Sequence, residues 1–178
     1  MKRFLGSIGL ALCVFALMAS ASAQQEVNFA NLPLVSTPSP MPTGYGELSW
    51  GNFFYVNPFG WSGAGPGYKL DSKVEDVAFI GGQFCRLSGN TCFGTLSDPL
   101  GFAVVSANVA AGYGPAAVIA TAYNNGKFVG TANYFIGTEM QTLHFPSSWG
   151  VVTEVDLQVT GTTGDLVLYS MTLYTLGG

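Results

Sequence analysis

The chain has 178 residues, of which 9% are charged, 13% aromatic and 24 are glycine. A disordered chain is rich in charge and poor in aromatic side chains, so most of this one folds. Beyond Lys2 and Arg3, only Lys69, Lys73, Arg86 and Lys127 stand against ten acids, and a net charge of −6 repels phosphate and excludes nucleic acid as a partner. One histidine, His144, excludes zinc sites built on two or three, and nothing in the composition calls for a cofactor or a metal.

In chain order, Lys2 and Arg3 open a charged segment, residues 4–18 are mostly apolar, and Ala21-Ser22-Ala23 is a small-x-small cleavage site. Residues 1–23 therefore read as a secretory signal. Residues 24–178 read as one domain, released to the periplasm or the outside, with no membrane span. Residues 25–30 alternate weakly and predict a first strand. Residues 32–42 hold Pro33, Pro38, Pro40 and Pro42 and predict an extended connector. Residues 45–56 are aromatic and favour a strand, residues 57–67 form a Gly- and Pro-rich loop, and residues 74–80 a short strand. Cys85 and Cys92 are the two cysteines beyond the leader. In an oxidising compartment they read as a disulfide across the Ser88-Gly89-Asn90 turn. The chain-entropy estimate for that loop is about 2.5 kcal/mol. The remainder of residues 81–99 reads as loop and turn.

The second half is cleaner. Residues 100–108 predict a strand. Asn124-Asn125-Gly126 lies between β-rich runs at 116–123 and 127–136, the strongest short hairpin signal. Residues 141–145 predict a strand stopped by Pro146. Residues 151–160 alternate strictly, with Val151, Thr153, Val155, Leu157 and Val159 expected inward, and Val152, Glu154, Asp156, Gln158 and Thr160 outward. Residues 165–175 form a last strand, apolar on both faces in places. No helical stripe appears. About nine short antiparallel strands separated by turns read as an all-β sandwich.

The order of motifs carries a resemblance. It runs through Val27-Asn28-Phe29-Ala30-Asn31-Leu32, the proline-rich connector, Gly44-Tyr45-Gly46-Glu47-Leu48-Ser49-Trp50-Gly51-Asn52-Phe53, Gly67-Tyr68, Phe102-Ala103-Val104-Val105-Ser106-Ala107 and Ala122-Tyr123-Asn124-Asn125-Gly126-Lys127-Phe128-Val129. The chain resembles a poorly characterised group of secreted β-sandwich proteins, similar in turn to jelly-roll carbohydrate-binding modules and galactose-binding-like domains. The resemblance implies a jelly roll and a glycan ligand. In such folds acids on the first and last strands can hold a structural calcium. Here Phe29-Ala30-Asn31-Leu32 and Tyr169-Ser170 lack those acids, leaving Glu26 and Asp165 as the nearest carboxylates.

Catalytic constellations are not visible. His144 has no Gly-x-Ser-x-Gly elbow to serve and reads as a solvent-facing strand histidine. Glycoside hydrolysis needs two carboxyls flanking one bond. Glu154 and Asp156 share a strand face, but the alternation makes that face a solvated one. Aromatic potential is the stronger feature: sugar rings stack their C–H faces on aromatic planes while amides and hydroxyls bond the sugar hydroxyls. Phe59, Trp61, Tyr68 and Tyr113 lie among glycines on predicted loops and are the expected ligand-binding residues, whereas Trp50, Phe53 and Tyr55 read as core or rim. The leading expectation is a secreted, non-catalytic binding module for a polysaccharide or cell-surface glycan. The second is a structural, self-associating extracellular protein, because strand edges with few charges pair readily. A glycoside or ester hydrolase is third.

Overall fold

The computed structural model describes residues 23–81, 91–161 and 165–176. Among them the chain forms strands β1 (Ala23–Asn28), β2 (Ser39–Pro40), β3 (Ser49–Gly51), β4 (Phe54–Val56), β5 (Val77–Ile80), β6 (Thr91–Ala111), β7 (Ala116–Asn124), β8 (Lys127–Ile136), β9 (Gln141–His144), β10 (Val152–Thr160) and β11 (Leu166–Thr175). Every strand pairing is antiparallel. The protein is an all-β sandwich as expected, with eleven strands rather than nine. The expected signal segment and Cys85 lie outside the described residues.

Two additions raise the count from nine to eleven: the connector at 32–42 contributes the short β2, paired with β4, and residues 45–56 divide into β3 and β4. Gly44, Gly46 and Glu47 take left-handed backbone angles (φ 79°, 58° and 64°) and wind Tyr45–Glu47 into a 3-10 turn. Asn52 (φ 57°) then separates β3 from β4, so residues 45–56 cannot form one strand. β6 also departs from expectation: it begins at Thr91, inside a stretch expected to be loop, and runs for 21 residues.

β6 builds the two layers because it bends at Asp98–Gly101. Asp98 Oδ1 accepts the Leu100 N–H at 2.9 Å, Pro99 has no N–H to donate, and Gly101 is left-handed (φ 94°). Before the bend, β6 pairs with β3 and β10; β7 and β8 complete that first sheet in the order β3-β6-β10-β7-β8. After the bend, it pairs with β11 and β9; β11 carries β5 and β1 along its other side, and β4 and β2 follow β5. The main core lies between the layers, with Leu96, Val118 and Leu157 from the first sheet and Val109, Leu168 and Met171 from the second.

The alternation of β10 breaks at its start. Val152 is fully buried, whereas Val151 is 39% exposed, the reverse of expectation. Between Val152 and Glu154 the register shifts: β10 advances two residues while β6 passes from Phe102 to Ser97 through its Asp98–Gly101 bend. From there Val155, Leu157 and Val159 point inward and Glu154, Asp156 and Gln158 outward, as the sequence predicts.

The second sheet is buried on both sides. Ala78, Ile80, Leu166 and Leu168 join the main core, while the intervening Val77, Phe79, Val167 and Tyr169 form a second cluster on the outer face with Val56, Ala110 and Tyr68. The segment between β4 and β5 covers this cluster, packing Trp61, Ala64 and Val74 onto it. Burying a side chain such as Phe79 contributes about 1.5–3 kcal/mol.

Candidate functional site

The aromatic loop is first a lid for this second core. Asn57 Oδ1 accepts the N–H groups of Phe59 (3.0 Å) and Gly60 (2.8 Å), starting a turn that folds the loop back. Trp61 stacks its face on Phe79 (centroids 5.8 Å, interplanar 20°) and meets Tyr68 edge-on at 5.3 Å. Gly67 lies so near β6 that a Cβ there would run into the Ala111 carbonyl, and its N–H donates to Gly112 O at 3.0 Å. This close approach explains the glycine at position 67.

The four expected ligand residues are thereby separated. Tyr68 is wholly buried, and its hydroxyl donates to Asp165 Oδ2 at 2.7 Å. Burial, reinforced by the Asp165 charge, raises its pKa well above the ordinary tyrosine value. Tyr68 presents no face to a ligand, which corrects the expectation that it lies on a binding loop. The reason is its neighbours Phe79 and Val167, whose apolar outer face needed a cover. Trp61 is half-buried with one face already taken by Phe79. Tyr113 is 41% exposed but tethered, its hydroxyl donating to the Gly63 carbonyl and its ring packing edge-on to Tyr68. Phe59 is half exposed at the turn.

The outer face of the first sheet has no such cover among the described residues. Pairing registers align its outward side chains in four rows. The first holds Ser97, Glu154, Tyr123 and Phe128; the second Thr95, Asp156, Thr121 and Thr131. The third holds Phe93, Gln158, Ile119 and Asn133; the fourth Thr91, Thr160, Ala117 and Phe135. Rows lie about 7 Å apart along the strands and neighbours within a row about 5 Å apart. Carboxylates, an amide and hydroxyls thus occupy the centre. Phe93 (42% exposed), Phe128 (66%) and Phe135 (74%) stand around it.

This face is held rigidly. Thr95 Oγ1 donates to Asp156 Oδ1 at 2.8 Å, fixing the carboxylate across two strands. Tyr123 and Phe128 pack edge-on at 6.3 Å. The β7–β8 turn, with Asn125 and Gly126 left-handed (φ 49° and 73°) as the Asn-Gly signal demands, is pinned to β10 where the Asn125 N–H donates to Thr153 Oγ1 at 2.8 Å. The alternation of β10 and the hairpin signal point to this face, although outward polar residues on a strand usually mean plain solvent exposure.

A second concavity lies beside β1, a polar cleft of about 210 Å³ lined by Gln25, Glu26, Asn28, Asn31, Tyr45 and Gly46. The Tyr45 hydroxyl donates to the Asn28 carbonyl there. His144 is exposed on β9, in register with Ser106, and no hydrogen bond joins the two side chains among the described residues. No group of three or more His, Cys, Asp or Glu side chains gathers among the described residues to hold a metal ion. No helix of the described residues is long and apolar enough to cross a membrane.

Fold and face together define a two-layer β-sandwich with one outer face roofed by its own loop and the other open. Neither the known family models nor the curated proteins include a match to this chain. Among solved structures, the chain is similar to a DUF4465 family protein from Bacteroides caccae ATCC 43185, with a TM-score of 0.54 and 12% identity over 91% of this chain and 96% of that one. That likeness shows the fold. A family 61 carbohydrate-binding module in complex with β-1,4-galactotriose (TM-score 0.39, 12% identity, 72% of this chain and 87% of that one) and an agarase (0.42, 13%, 83% and 25%) are more distantly similar.

Proposed function

We propose that the protein is a non-catalytic glycan-binding module whose site is the open outer face of the first sheet. One observation carries this reading: the ordered rows that set Tyr123, Phe128 and Phe93 around Glu154, Asp156, Gln158, Thr121 and Asn133 on rigid strands. Sugar rings offer apolar C–H faces to the aromatics and hydroxyls to the carboxylates and amides, which accept and donate without moving. The centre is too polar to form the dry heart of a protein–protein interface, whose core is depleted of charge. Lys127, at the end of β8, is the only cation on these strands, so the face has no cluster to hold phosphate. The loop residues Trp61 and Tyr68 serve stability in this reading, and Phe59 and Tyr113 lie apart from the site.

The test is affinity electrophoresis of the purified protein through gels carrying a panel of neutral, acidic and amine-bearing polysaccharides. At least one is expected to retard it. Tyr123→Ala and Phe93→Ala are expected each to weaken that binding about tenfold, or ~1.4 kcal/mol, with the melting temperature held. Prolonged incubation with the retained polysaccharide is expected to release no reducing ends. Retardation by none of the panel, or loss of binding with Trp61→Ala but not with Tyr123→Ala, would refute the placement.

A further inference from the structure

We propose that the protein associates into a two-fold dimer through the free edge of β8, the partner being a second copy of this chain. Among the described residues, β8 is the last strand of its sheet and pairs with β7 along one side only. It is ten residues long, contains no proline, and carries a single charge, Lys127, at its first position. Phe135 at 74% and Phe128 at 66% are among its exposed side chains, with Val129 at 36%. Natural edge strands are short, charged, proline-bearing or covered; an exposed, long, apolar one is a template for another strand.

The backbone indicates which strand fits. In an antiparallel pair, residues alternate between positions bonded to the partner and positions whose N–H and C=O point away. The Gln141 side-chain amide donates to Phe135 O at 3.3 Å, which shows that Phe135 turns its main chain outward. Asn133 and Thr131, in step with it, do the same. An antiparallel second copy centred on Ala132 sets Thr131 opposite Asn133 of the second copy, and Asn133 opposite its Thr131. Those outward groups are then satisfied in two hydrogen-bonded pairs. The same register sets Phe135 beside Val129 of the second copy, covering the most exposed aromatic ring of the strand, and holds the two Lys127 side chains at opposite ends.

The edge is also built to stop at two copies. The bulge between Ala122 and Tyr123 displaces Val129 from the ladder at one end, and Gln141 occupies the Phe135 carbonyl at the other. The contact is isologous and consumes the edge that makes it, so it closes rather than propagating into a fibre. It is independent of what the open face binds, although it would join two such faces into one continuous surface.

Sedimentation of the purified protein tests this, with Thr131→Pro, which removes an outward donor, and Asn133→Lys, which places like charges beside the two-fold axis. The wild-type mass is expected to be twice that of the chain, and both variants are expected to sediment at the mass of one chain with an unchanged circular dichroism spectrum. If Thr131→Pro loses its fold, Asn133→Lys decides alone. A wild-type protein that stays at one chain's mass at high concentration, or a folded Asn133→Lys that keeps the doubled mass, overturns the proposal.

Discussion

The two outer faces of this sandwich carry the same kind of backbone and meet opposite fates. On the second sheet, β5 and β11 bury both sides: Phe79 and Val167 face outward, are fully buried, and lie under Trp61 and Tyr68. On the first, β10 turns Glu154, Asp156 and Gln158 outward, and they remain only partly covered. A continuous apolar run demands a roof, whereas strict alternation leaves a face free to bind. Aromatic rings therefore mean different things in the two places. On the roof they are ballast held by apolar partners; on the open face they border polar groups and stay accessible.

The largest way to break this contrast is to undermine the roof. Phe79→Ala removes the ring on which Trp61 stacks and is expected to cost about 3–5 kcal/mol in urea unfolding. It should also open the segment between β4 and β5 to limited proteolysis. A loss below about 1 kcal/mol would mean that the roof is not a second core. Asp76 gives the next effect. It lies just before β5, wholly buried, with neither carboxyl oxygen hydrogen-bonded among the described residues. Burial, with the neighbouring Glu75 charge, pushes its pKa up to about 6 from 3.8. A carboxyl held above its unfolded value stabilises the fold while protonated, so this contribution is fully present below about pH 4 and is lost as pH rises to about 6. Asp76→Asn is expected to flatten that slope and to raise stability at neutral pH relative to the wild type; a variant with the wild-type pH profile would contradict the assignment.

Cys85→Ser is expected to cost about 2.5 kcal/mol if the proposed Cys85–Cys92 bridge forms, and mass spectrometry with and without reductant checks the pairing directly. Tyr68→Phe deletes the hydrogen bond to Asp165 while keeping the ring, and is expected to cost about 1.5–3 kcal/mol because the acceptor is a carboxylate. The smallest effect sharpens the contrast from the other side. Tyr123→Ala on the open face should change stability by only about 0.5 kcal/mol, although it weakens glycan binding. Thermal unfolding of Tyr68→Phe and Tyr123→Ala side by side would separate roof from site.

Much of this was readable from local pattern. The Asn125-Gly126 turn, the inward Val155, Leu157 and Val159, and the apolar doubling of residues 165–175 follow from φ preferences and the two-residue period of a strand, which need no knowledge of partners. The all-β class follows from the same signals repeated along the chain. Three features lay beyond that reach. β6 starts nine residues early and bends between sheets, because Asp98, Pro99 and Gly101 look like a loop until β10 and β11 are there to pair on either side. The register shift at Val152 reverses a predicted phase, because only the bend of the neighbouring β6 reveals where the ladder slips. Tyr68 and Trp61 read as displayed rings, because a glycine-rich loop does not say what lies beneath it.

The sequence by itself determined the all-β class, the hairpin, the alternation of β10 and the absence of a multi-histidine metal centre, since each rests on residue type and short-range geometry. Only the tertiary structure decided which aromatics are roof and which are rim, that Glu154, Asp156, Tyr123 and Phe93 share one face, and that β8 ends its sheet. Those facts depend on which strands become neighbours, and strand order is set by the packing of residues far apart in the chain.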